Sequence, residues 1–245
     1  MNASLMNTNP RNESPVIVAL DMETANQARA LVKALGVAAR FYKVGLELYA
    51  AAGMDFVHEL KSEGCRVFLD LKMYDIGETV KRAVAQVAKA GPDFLSIHGV
   101  PAVMRAAIAG RGGADLKLLA VTVLTSFDDA DVHEMGYPFT LAELVERKAR
   151  AAREIGVDGM ISSPREVARV RAIAGQEKVL VTPGVRSAGA DRGDQKRVAT
   201  PVEALAAGAD YVVIGRQVSR ALDPRGEMLR VLEEISLAAP LGSRG

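Results

Sequence analysis

The sequence predicts an α/β fold of the (β/α)8 TIM-barrel class, built as one domain. Three observations carry this expectation. Short β-branched runs alternate with longer amphipathic segments along the chain, eight such runs can be counted, and a glycine-based helix stop recurs before strands four, six and eight.

The strand candidates, in order, are Val16–Leu20, Phe41–Val44, Arg66–Leu71, Phe94–His98, Leu118–Leu124, Gly159–Ile161, Lys178–Thr182 and Tyr211–Ile214. Helix-period segments fill the intervals, a pattern that favours a parallel sheet with crossover helices. The helix stops are Ala90-Gly91-Pro92-Asp93, Ile155-Gly156-Val157-Asp158 and Ala207-Gly208-Ala209-Asp210. Glycine there can take the left-handed conformation that ends a helix. The repetition reads as a run of αβ units with no domain linker. An open doubly wound sheet stands behind the barrel, because Gly-x-Gly-x-x-Gly is missing after the first strand.

Length agrees with one unit, since α/β barrels reach 245 residues as a single domain. Residues 1–14, polar and rich in Asn, read as a flexible N-terminal tail, and residues 15–240 as the catalytic barrel. The 31 Lys+Arg nearly balance the 30 Asp+Glu, leaving a net charge of +1. No global field exists to hold nucleic acid or a membrane surface, so an anionic ligand needs a local cluster. Cys65 is the sole cysteine, which rules out an intrachain disulfide, and His58, His98 and His133 lack metal-ligand spacing. The tail has neither the apolar core of a signal peptide nor a transit-peptide pattern, and no apolar run approaches the roughly 18 residues of a membrane span. A soluble, cytoplasmic protein is the expectation.

Barrel function sits at the carboxyl ends of the strands. Asp21 follows strand one, Lys43 ends strand two, Asp70 and Lys72 flank the end of strand three, and Thr125 and Ser126 follow strand five. Strand alternation points Asp70 and Lys72 to the same side, into the barrel mouth. Adjacent strands lie about 4.8 Å apart, so Lys43 can approach Asp70. An alternation of Lys43, Asp70, Lys72 and Asp75 lets each charge hold its neighbour and keeps both lysines protonated. The same residues also read as a buried ion pair supporting the rim, with Lys43 lying along apolar surface and Asp75 as a helix N-cap. A second constellation suits phosphate. Thr182 to Arg186, Gly193 to Gln195 and Gly215-Arg216 combine close backbone approach with a guanidinium at the loops after strands seven and eight.

With these motifs in order the chain resembles orotidine 5′-phosphate decarboxylases, in their bacterial form. The match runs through Val18 to Asp21, Lys43-Val44-Gly45, Asp70 to Ile76 with Thr79, Val121 to Ser126, Thr182 to Arg186, Gly193 to Gln195 and Tyr211 to Arg216. The pattern Asp-x-Lys-x-x-Asp-Ile-x-x-Thr is the most specific part. The resemblance implies cofactor-free decarboxylation of orotidine 5′-phosphate with no metal, Lys72 donating a proton to the C6 carbanion, and Lys43, Asp70 and Asp75 completing the charged network. It also implies a homodimer with shared active sites, in which Asp75, Ile76 and Thr79 reach the partner's site. Asp21 and Lys43 would bind ribose hydroxyls, and Thr125 and Ser126 would meet the pyrimidine. Arg216, the Gly215 amide and the Gln195 loop would hold phosphate, with Arg186 in the same segment. The rival reading is a metal-dependent sugar-phosphate decarboxylase or aldolase carrying a similar strand. A noncatalytic dimeric barrel that senses a phosphorylated ligand comes behind both.

Overall fold

In a computed structural model of the protein, which describes residues 14–188 and 199–238, eight parallel strands close into a barrel in sequence order. They are β1 (Val16–Ala19), β2 (Phe41–Gly45), β3 (Arg66–Met73), β4 (Phe94–His98), β5 (Lys117–Val121), β6 (Gly159–Ile161), β7 (Val179–Pro183) and β8 (Tyr211–Ile214). The ring closes where Ile17 of β1 pairs with Val213 of β8. Around it lie α1 (Ala25–Leu35), α2 (Leu46–Ser62), α3 (Gly77–Ala90), α4 (Pro101–Arg111), α5 (Asp129–Glu134), α6 (Leu141–Ile155), α7 (Val167–Ala174), α8 (Pro201–Ala206), α9 (Arg216–Ser219) and α10 (Pro224–Ala238). No helix among the described residues is long and apolar enough to cross a membrane. Of the expected tail, only Ser14 is described, and its hydroxyl accepts from the Val16 amide at the start of β1.

Local chemistry fixes where the helices begin and end. Thr24, Thr140 and Thr200 each cap a helix and exchange hydrogen bonds with a Gln or Glu three residues on. Each such cap contributes about 1 kcal/mol by satisfying amides that the helix leaves unpaired. At the other end, Gly91 and Gly156 stop α3 and α6 with φ of 70° and 91°. The aspartate that follows each stop then ties two strands together. Asp93 accepts from the Val67 amide, Asp158 from the Leu118 amide and Asp210 from the Leu180 amide, so the starts of β4, β6 and β8 are each bound to the odd strand before them. Each carboxylate also meets a cation from the helix layer: Lys61, Arg111 and Arg171 respectively. The helix stop read from the sequence is thus also a lattice of strand stitches at the bottom of the barrel.

Two apolar layers follow from strand alternation. Val18, Tyr42, Val44, Leu69 and Leu95 face the helices, whereas Ile17, Phe41, Phe68, Phe94, Leu119, Val181 and Val213 fill the barrel interior. At the bottom the filling is aromatic, with Phe41, Phe94 and Tyr211 meeting edge to face at centroid separations of 5.1–5.5 Å. The Arg66 guanidinium lies 4.1 Å from the Phe41 centroid and donates to the Tyr211 hydroxyl, closing that mouth.

Strand boundaries depart from the expectation in informative places. β5 ends at Val121 rather than Leu124. Val123 remains buried although it has left the ladder, so its apolar character reports the barrel mouth and not strand pairing. β3 runs on to Met73, but its register against β4 jumps from Leu69↔Leu95 to Met73↔Ile97. Four steps on β3 therefore match two on β4, and residues 70–72 bulge out of the regular pairing.

Candidate active site

The carboxyl ends of the strands surround a cavity of about 400 Å³. Asp21 after β1, Lys43 on β2, and Asp70 and Lys72 on β3 line one part of its wall. Their side chains form a continuous chain of alternating charge. Lys43 Nζ donates to Asp21 Oδ1 at 2.8 Å and stands 3.6 Å from Asp70 Oδ2. Lys72 Nζ lies 2.9 Å from both oxygens of Asp70. Gly45 leaves room beside this chain, because a Cβ there would sit 2.9 Å from both Asp21 Oδ1 and Lys43 Nζ and push the pair aside.

Position along the chain sets the role each charge can take. The Lys43 and Asp70 side chains are each 11% exposed, whereas Lys72 is 32% exposed and opens into the cavity. Burial alone would raise the Asp70 carboxyl. The attraction of Lys43, then of Lys72, and hydrogen bonds from Lys72 and Ser96 outweigh burial and hold that carboxyl below its ordinary value. Asp70 is therefore an anion at neutral pH, placed between the Lys43 and Lys72 amino groups. His98, at the end of β4, is shifted in the same direction, with the opposite result for its charge. Burial, Lys148 and Lys72 lower its imidazole, so it stays neutral at pH 7.

The bulge supplies the geometry that alternation alone does not. Lys72 has φ of 47° and is the only described non-glycine residue with a positive φ. Regular pairing with β4 stops at Leu69, so the shared direction of Asp70 and Lys72 arises from a left-handed turn of the backbone. The simple period-two reading reached the right side of the sheet for an incomplete reason.

The fourth member of the expected alternation differs within this chain. Asp75 is exposed, and its Oδ1 accepts from the Ile76 amide ahead of α3. It contributes nothing to the cavity wall of its own chain, where Asp21 provides the second carboxylate. Nor is Asp75 the N-cap of α3, a position held by Ile76. Ile76 itself is 73% exposed and Thr79 is half-buried, and neither lines the cavity. Thr125 does line it, but Ser126 is exposed and lies off the wall.

Opposite chemistry gathers on the loops after β7 and β8. Arg186, Gly215, Arg216 and Arg220 line the same cavity. The Arg186 amide donates to Ala199 O, tying the two described ends of the β7–α8 connection. Gln195 lies outside the described residues. Glu47 and Arg220 were not anticipated from the sequence, although Glu47 opens the helix that follows the Lys43 strand and Arg220 lies one helical turn beyond Arg216. Ser96 was also missed. It sits two residues before His98 on β4, at an interior position where a buried hydroxyl is itself a signal.

A sequence model of the orotidine 5′-phosphate decarboxylase / HUMPS family matches residues 14–231. The chain is 49% identical over 232 residues to orotidine 5′-phosphate decarboxylase of Methylobacterium nodulans, spanning 94% of this chain and 98% of that one. It is 50% identical over 235 residues to the Caulobacter vibrioides protein of the same name, spanning 94% and 99%. A crystal structure of orotidine 5′-phosphate decarboxylase from Lactobacillus acidophilus superposes with a TM-score of 0.79 at 36% identity, covering 91% of this chain and 99% of that one.

Proposed function

The chain belongs to the orotidine 5′-phosphate decarboxylase / HUMPS family, and from that premise we propose that it converts orotidine 5′-phosphate to uridine 5′-phosphate in pyrimidine biosynthesis, without metal or organic cofactor. The observation that carries this reading is the Asp21–Lys43–Asp70–Lys72 chain, which ends in a half-exposed ammonium inside a cavity that also carries three arginines. The sugar-phosphate alternative is not favoured, since the relatives matched over nearly their whole length are named for the nucleotide reaction.

The chemistry assigns each part a task. Orotidine 5′-phosphate presents a dianionic phosphate at one end and a carboxylate on C6 of the pyrimidine at the other. Arg216, with Arg186 and the Gly215 amide, receives the phosphate through paired N–H donors. Asp21 and Lys43 meet the ribose hydroxyls, and Thr125 the pyrimidine. The C6–carboxylate bond then breaks, carbon dioxide leaves, and the electron pair stays on C6. A fixed ammonium at that carbon stabilises the carbanion with no solvent reorganisation, an effect of about 3–4 kcal/mol for one preorganised donor. Lys72 next transfers a proton from Nζ to C6, and the neutral amine regains a proton from solvent. Asp70 keeps Lys72 aimed until that moment.

The same proposal assigns Asp75, Ile76 and Thr79 to a partner's site in a homodimer. The exposure of Asp75 and Ile76 supports it, because Ile76 at 73% and Tyr74 at 66% exposed leave adjacent large apolar side chains uncovered in a lone chain. The direct test is loss of orotidine 5′-phosphate absorbance with purified protein in excess chelator. Chelator-independent turnover is expected. No turnover of the nucleotide overturns the assignment, and chelator-sensitive turnover of a sugar phosphate turns it toward the rival.

A further inference from the structure

We infer that Ser96 is a positioning residue for Lys72, setting the backbone conformation that aims the ammonium at the reacting carbon; the inference rests on the reaction proposed above. Ser96 is fully buried on β4, opposite the bulged residues of β3. Its hydroxyl makes two bonds at once. It accepts from the Lys72 backbone amide at 2.8 Å and donates to Asp70 Oδ1 at 2.8 Å.

These two bonds fall where the sheet offers none of its own. Between Leu69↔Leu95 and Met73↔Ile97 the β3–β4 pairing shifts register, so the Lys72 amide loses the partner it would have in a regular ladder. Ser96 stands in for that missing carbonyl. A non-glycine residue at φ 47° is strained by about 1–2 kcal/mol and persists only where its surroundings impose it. The hydroxyl is the polar group that does so, and through Asp70 Oδ1 it also fixes the carboxylate that receives Lys72 Nζ at 2.9 Å. One side chain thus holds both the root and the tip of the lysine. A serine needed for packing alone requires neither bond, and alanine or cysteine fills its space.

Ser96→Cys is the decisive variant, because it keeps nearly the same volume and exchanges a strong donor and acceptor for a weak one. Turnover of orotidine 5′-phosphate and amide hydrogen exchange at Lys72 are measured on the wild type, Ser96→Cys and Ser96→Thr. A group misplaced by around an ångström loses about 10²-fold in rate. The cysteine variant is expected to lose about 10–100-fold in kcat with KM unchanged, and its Lys72 amide to exchange at least about tenfold faster. Ser96→Thr, which retains the hydroxyl, should stay close to the wild type in both. Wild-type kcat and an unchanged Lys72 exchange rate in Ser96→Cys overturn the inference, as does a loss expressed wholly in KM. If the wild type itself leaves the nucleotide untouched, the assigned reaction fails, and the exchange rates alone still decide whether Ser96 holds the Lys72 backbone.

Discussion

Both mouths of this barrel contain a buried or half-buried cation, yet the two are built for opposite ends. At the amino-terminal mouth Arg66 lies against the faces of Phe41, Phe94 and Tyr211, donates to the Tyr211 hydroxyl and stands 3.5 Å from Asp93. Three rings, a hydroxyl and a carboxylate hold that guanidinium, and the result is a plug. At the carboxyl-terminal mouth Lys72 is held from one side only, by Asp70, and its other side faces an open cavity. A charge surrounded by partners stabilises a fold. A charge fixed on one side and open on the other can act on a ligand.

Substitutions at the two mouths should therefore separate activity from stability. The largest effect belongs to Lys72→Ala, expected to cut kcat for orotidine 5′-phosphate by about 10⁴-fold or more, the scale reached when a group acting on the reacting atoms is removed. Its thermal midpoint should stay within a few degrees of the wild type by calorimetry. Asp70→Asn leaves both lysines in place but removes the charge between them, and a loss of about 10²-fold in kcat is expected from stopped-flow or absorbance assays. Arg66→Met inverts the pattern. Turnover should remain within about twofold of the wild type, while chemical denaturation shows a loss of about 1–2 kcal/mol from the cation–aromatic contacts. An Arg66 variant that stays stable and loses turnover breaks the comparison outright.

The smallest effect is a shift in acid sensitivity. The Asp70 carboxyl is held below its ordinary value in the folded chain, against the effect of burial, by Lys43 first and Lys72 second. A depressed folded value adds stability above the unfolded pKa, and that stability disappears as pH falls through the folded one. The wild type should lose the Asp70 contribution to its thermal midpoint progressively as pH drops through the ordinary aspartate range and below it. Lys43→Ala removes the largest attraction, so its midpoint should start lower at neutral pH and fall less on acidification than that of the wild type. Superimposable pH profiles would show that Lys43 does not support Asp70.

Much of this division was legible in the chain, because the features that build it are local and periodic. Eight β-branched runs and three Gly-x-Asp stops define the barrel, and the charged residues at strand ends mark the active mouth. What escaped were features set by pairing between strands. The bulge at residues 70–72 depends on β4, so the left-handed Lys72 and its Ser96 partner leave no trace in the spacing of β3 itself. Asp21 was read as a ribose ligand and proves also to pair with Lys43, a contact between residues 22 positions apart. Asp75 was read as part of one alternating chain, and within this chain the bond from the Ile76 amide holds it at an exposed turn. Arg66 was read only as the start of a strand, since its aromatic cage is assembled from three different strands.

The central claim is that an ammonium, placed at one wall of the cavity, performs the reaction, and chemical rescue addresses it most directly. Lys72→Ala leaves a gap in which a small primary amine can stand beside Asp70. Turnover of orotidine 5′-phosphate by this variant should rise in proportion to added methylammonium and be indifferent to potassium at the same ionic strength. Turnover at the wild-type rate with no amine present would contradict the account.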